Sequence, residues 1–90
     1  MQVRLKIHPI LIENGLEPAV INVSGGTVGE CLKDAERKLG GLRSDLIYDG
    51  ERLMGDVLIY VNGEDVYPDE LDARVRDGDN LELITIIGGG

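Results

Sequence analysis

The residues with chemistry to offer stand at the end of the sequence, where the run from Leu81 to Ile87 meets Gly88, Gly89 and Gly90. Leu and Ile on alternate positions predict a buried strand. Successive glycines do the reverse: they remove every side chain and leave the main chain loosely restrained. Such a terminus ordinarily frays and carries nothing. Directly after a strong strand, however, it puts a free carboxylate on a thin cord rooted in the core. That cord could thread a channel that any side chain would block. Gly90 is therefore the candidate reactive group, with residues 88–90 expected as a flexible tail and 1–87 as the folded domain.

The remaining inventory argues against a self-sufficient catalyst. His8 is the sole histidine and stands beside Pro9 at a strand end, so no Ser-His or Cys-His pair can be assembled as a catalytic unit. A single cysteine, Cys31, excludes an internal disulfide and a zinc ribbon. It falls on the apolar stripe of a helix, where free cysteine acts as a small hydrophobe. The carboxylates gather at turns. No metal site and no bound cofactor are expected.

Ninety residues suit one small domain. With three tyrosines and no Phe or Trp, the core must be aliphatic. A net charge of -8 opposes nucleic acid, whose phosphates need Lys and Arg, and opposes an anionic membrane surface. No apolar stretch is long enough to span a bilayer, and the N-terminus alternates charge with apolar residues, unlike a signal peptide. The expected compartment is the cytoplasm.

The elements that must position the tail follow in order. Residues 2–8 alternate as a half-buried strand that Pro9 interrupts, and Ala19 to Val23 return antiparallel after the Asn14-Gly15 turn. Thr27 and Glu30 fit a capping box for a helix whose stripe is Val28, Cys31, Leu32, Ala35 and Leu39. Asp34 and Lys38 stand in the favourable i, i+4 order, and Gly40-Gly41 ends the helix. Gly25-Gly26 lacks the residues that complete a phosphate loop.

Residues 41–56 are mixed, with Leu46-Ile47-Tyr48 as a short strand. Val57 to Val61 is the best central strand of the chain, Asn62-Gly63-Glu64 turns tightly, and Asp65-Val66-Tyr67 pairs back at an edge. Leu71 and Val75 are expected to plug a crossing loop into the core before the Asp77-Gly78-Asp79-Asn80 turn.

This order predicts an α+β fold, a β-grasp domain with a mixed sheet of about four to five strands and one main helix. The last strand would lie beside the first in mid-sheet, with the helix inside the crossover. On it Leu81, Leu83, Thr85 and Ile87 share one face, and Glu82, Ile84 and Ile86 the other. Ile84 and Ile86 would then sit on the uncovered side as an aliphatic patch for a partner. Residues 57–90 carry eight acids against Arg74 and Arg76, a net of -6, which reads either as a solvated acidic loop region or as a docking surface beside the tail for a basic partner.

Val61-Asn62-Gly63, Leu71, the stretch from Asp77 to Ile84, and Ile87-Gly88-Gly89-Gly90 together resemble the ubiquitin-like sulfur carriers. These include the small subunit of molybdopterin synthase and the sulfur carrier of thiazole synthesis. The resemblance implies that an E1-like enzyme adenylates the Gly90 carboxylate with ATP. Sulfur then replaces the adenylate, and the Gly90 thiocarboxylate donates it to a nascent cofactor. Gly88, Gly89, Ile84, Ile86 and Ile87 would be partner-binding, the partners being the E1-like enzyme and a sulfur-accepting synthase large subunit. Thr85-Ile86 replaces the proline usual in the molybdopterin branch, and Leu83-Ile84 replaces the usual aromatics. The length of residues 41–56 favours that branch over the thiazole one. The alternatives are the thiazole carrier, or a modifier joined to lysines through Gly90.

Overall fold

In strand β1 (Gln2–Ile7) the alternation of Val3, Leu5 and Ile7 with polar residues becomes full burial of all three on one side. The computed structural model describes residues 2–86. Strand β2 (Ala19–Ser24) runs antiparallel to β1, with Val3 opposite Val23 and Ile7 opposite Ala19. Between them His8 caps a short 3-10 turn at Pro9–Leu11, its Nδ1 accepting from the Ile10 amide at 3.1 Å.

Helix α1 (Val28–Lys38) starts as its capping residues dictate. Thr27 Oγ1 accepts from the Glu30 amide at 3.2 Å. Glu30 Oε1 reaches back to the Gly26 amide at 2.7 Å, one residue beyond the position an ordinary capping box satisfies. Gly25 is required here by proximity: an added Cβ would lie 2.8 Å from the Cys31 amide nitrogen. Val28, Cys31, Leu32 and Ala35 are buried against the sheet.

The segment after α1 differs from the expected short strand at Leu46-Ile47-Tyr48. Leu46 and Ile47 belong to a one-turn helix, α2 (Ser44–Ile47), and only Tyr48 enters strand β3 (Tyr48–Asp49), which pairs with β4 (Arg52–Leu53). One helical turn lets Ile47 reach full burial while its neighbour Leu46 stays half-buried. A three-residue apolar run does not distinguish that from a strand.

Strand β5 (Val57–Val61) lies between β7 (Asn80–Thr85) and the two-residue strand β6 (Glu64–Asp65) in a five-stranded sheet ordered β2-β1-β7-β5-β6. β5 is an interior strand with only a two-residue stub beyond it, and the last strand, β7, holds the middle beside β1 as expected. The returning edge piece ends at Asp65 and does not extend to Tyr67. Asn62 and Gly63 both take positive φ, 51° and 84°, which closes the tight hairpin between β5 and β6.

The mixed sheet follows from β7, which is parallel to β1 and antiparallel to β5. Its five strands and one long helix are the β-grasp architecture. Val75 is buried and donates its amide to the Gly26 carbonyl at 3.0 Å, so the crossing loop is pinned under the start of α1, while Leu71 is half-buried.

Candidate functional site

The site is built on β7. Leu81 and Leu83 are buried and Thr85 is 5% exposed, all facing α1 and the core. Glu82, Ile84 and Ile86 take the opposite side, where Ile84 is half-buried and Ile86 is 62% exposed. The alternation expected of these six residues is the one observed.

Strand register completes the open face. Ile84 stands opposite Leu58, and Glu82 lies between Lys6 of β1 and Tyr60 of β5. The face therefore divides along β7: charged where the strand begins, beside Arg4 and Lys6, and aliphatic where it ends, at Leu58, Ile84 and Ile86. Leu58 and the two basic residues were not singled out from the sequence. Alternation within each strand assigns them a side, but only the non-local register sets them beside β7.

Both ends of β7 are tied down. At its start, the Asn62 amide donates to the Asn80 carbonyl at 2.7 Å, and the Asn80 amide returns a bond to Asn62 Oδ1 at 2.9 Å. Asn62 Nδ2 also donates to Asp79 Oδ1 at 3.0 Å, and with the Arg76 amide on Oδ2 this holds the Asp79 carboxyl below the usual carboxylate range. The Gln2 amide donates to Asp77 Oδ1 at 2.8 Å, joining the same turn to β1. At the far end, the Ile86 amide donates to the Asp56 carbonyl at 3.0 Å. Ile87, Gly88, Gly89 and Gly90, the rest of the expected site, lie outside the described residues.

The other titratable groups are placed for structure. Cys31 is buried, its Sγ 3.8 Å from the Gly25 carbonyl, and burial with the nearby Asp34 and Glu30 charges pushes the thiol pKa up. It is a protonated core residue at neutral pH. Burial and the charge of Glu36 raise the Tyr48 phenol to about 12, which keeps it neutral. Among the described residues, no three His, Cys, Asp or Glu side chains converge to hold a metal ion. No helix among them is long and apolar enough to cross a membrane.

The comparisons with known proteins agree with this geometry. The ThiS family model matches residues 14–90. No curated protein matches the chain significantly in sequence. Among solved structures, a chain of the Amycolatopsis orientalis BexX/CysO complex is 31% identical, with a TM-score of 0.77 over 92% of this chain and 93% of that one. Mycobacterium tuberculosis CysO is 30% identical, with a TM-score of 0.76 over 92% of this chain and 97% of that one. SAMP1 from Haloferax volcanii is 26% identical, with a TM-score of 0.73 over the whole of both chains. SAMP1 is named for what it is, a small archaeal modifier protein. With a β-grasp sheet, a terminal strand fixed at its centre and a family match that runs through the last glycine, this chain belongs to the ThiS family of ubiquitin-like sulfur carriers.

Proposed function

We propose that this protein carries sulfur on the carboxyl group of Gly90. The observation that carries the reading is the ThiS-family match from residue 14 through Gly90, laid over a strand tied at both ends in mid-sheet. The reading takes Gly90 as the chain's terminus. In the proposed cycle a Gly90 carboxylate oxygen attacks the α-phosphorus of ATP in the active site of an E1-like enzyme, and pyrophosphate leaves. A sulfide-level nucleophile then attacks the acyl carbon of the adenylate and AMP leaves, so that a thiocarboxylate remains. Adenylation converts an oxygen that leaves poorly into one that leaves well. The domain contributes delivery and recognition, with Ile84 and Ile86 meeting the partner and Ile87, Gly88 and Gly89 passing into its channel. A relative held in the BexX/CysO complex supports action against a partner protein.

The pathway we assign is molybdopterin synthesis, with the sulfur accepted on a synthase large subunit, and the thiazole of thiamine is the alternative. The length of residues 41–56 weighs less than the sequence suggested. The matches span 92% of this chain for the two CysO-bearing relatives and the whole of it for SAMP1, so overall length does not separate relatives of different names. A second reading, a protein modifier joined to lysines through Gly90, is favoured by the full-length match to small archaeal modifier protein 1.

ATP–pyrophosphate exchange by the activating enzyme tests the first step. Exchange is expected with the intact chain. It should be lost when Gly89 and Gly90 are deleted or one bulky residue is added after Gly90, with the melting temperature unchanged. Exchange that survives either change contradicts the reading.

A further inference from the structure

A groove separates the β3–β4 hairpin from the segment at residues 67–72, with a volume of 580 Å³. Its lining is mixed: Leu53, Met54, Leu58 and Leu71, each half-buried, supply apolar surface beside charged and polar residues. Tyr67 stands at the rim and is 72% exposed, the most exposed aromatic side chain among the described residues. Glu51, Asp69, Glu70 and Asp72 also line the groove, against the single cation Arg52. Among the described residues, none of these four carboxylates has an ion pair or a side-chain hydrogen bond. The acids at Asp34, Asp77 and Asp79, by contrast, are all engaged in holding the fold.

We propose that this groove is a docking site for a lysine- or arginine-bearing segment of a partner protein. The chemistry fits each part of such a side chain. An aliphatic stem lies along the leucine and methionine side chains of the lining while its charged head stays with the carboxylates. The head finds unpaired carboxylates there, and the face of an exposed tyrosine attracts a cation. A second copy of this chain is a poor occupant, because its own charge of -8 makes like surfaces repel.

Position adds to the argument. Leu58 belongs both to the groove and to the open face, where it stands opposite Ile84. Asp56, which receives the Ile86 amide, sits between groove residues Gly55 and Val57. One partner can therefore hold the open face and fill the groove together. The groove does not require any chemistry at Gly90, so its occupancy stands apart from the carrier reading.

The test is a titration of the ¹⁵N-labelled full chain with an acetylated, amidated Arg-Leu-Lys-Arg-Leu-Lys peptide, followed by amide chemical shifts. Two charge-matched double variants accompany it: Asp69→Lys with Glu70→Lys in the groove, and Glu13→Lys with Glu17→Lys in the distant loop. The expected shifts concentrate at residues 51–58 and 67–72. Groove reversal should weaken binding about ten-fold or more, and loop reversal by about two-fold or less, as fits loss of local rather than overall charge. Tyr67→Ala should weaken it about two- to five-fold. Absence of binding, shifts scattered over all acidic surfaces, or equal weakening by both double variants overturns the proposal.

Discussion

The amide of Ile86 donates to the carbonyl of Asp56 at 3.0 Å, the last backbone tie along β7 among the described residues. It ties the last described residue to the turn before β5. Everything before it along β7 is held by the ladder to β1 and β5, in the centre of the sheet rather than at an edge. This placement joins β7 and its open-face residues to β1 and β5 as one hydrogen-bonded unit.

Leu83 lies at the heart of that unit, fully buried and opposite Ile59. Leu83→Ala should destabilise the fold by about 2–5 kcal/mol, from lost transfer energy and the cavity left behind. Urea denaturation reads the change. A loss below about 1 kcal/mol would show that β7 is not the packed centre.

Ile86 is the contrasting case on the same strand. Because its side chain is largely exposed, Ile86→Asp should shift stability by no more than about 0.5 kcal/mol. Its affinity for the activating enzyme should fall by about 2 kcal/mol or more, as for a buried contact at an interface centre. Calorimetric binding beside a melting curve separates the two effects, and unchanged affinity would remove Ile86 from the docking face.

Asp34 guards the free edge of the sheet. Its Oδ2 accepts from the Ser24 amide at 2.8 Å, while Lys38 Nζ donates to the Asn22 carbonyl at 2.9 Å, so α1 covers outward-facing backbone groups of β2. The Ser24 amide first, then Arg37 and Lys38, lower the Asp34 carboxyl from 3.8 to about 2. A depressed folded-state pKa gives stability that is complete above 3.8 and is lost as pH falls through about 2. Asp34→Asn should flatten that part of the stability–pH curve and leave the neutral-pH slope alone. Denaturant midpoints measured across the acid range check it, and an unchanged acid slope contradicts it.

Cys31 should be chemically silent. With the thiol buried and its pKa raised, a maleimide should label the native protein far more slowly than the unfolded chain. Cys31→Ala should cost about 1 kcal/mol of stability and preserve exchange with the activating enzyme. Rapid native labelling with loss of exchange would give Cys31 a role that its burial denies.

Much of this was legible in the sequence because local signals and the global fold agree. The alternation in Gln2–Ile7 and Asn80–Thr85, the Thr27 cap and the Val28–Ala35 stripe each name one element. Together they name the β-grasp and the open side for Ile84 and Ile86. The failures fall where the signal is short or non-local. Leu46-Ile47 is apolar over too few residues to choose between turn of helix and strand, and burial of Ile47 decided it. The edge piece that pairs with Val57–Val61 ends at Asp65 and not at Tyr67, because pairing and not composition sets its length. Leu58 joined the open face through its register with Ile84, and the acidic groove arose from two loops meeting in space. Neither relationship has a sequence period.

The most direct measurement of the central claim is intact mass spectrometry after incubation with the E1-like enzyme, ATP and a sulfur donor. The account predicts a mass gain matching exchange of one oxygen for sulfur, localised by fragmentation to Gly90. A terminus left unmodified by an enzyme that activates a control carrier in the same tube would contradict it.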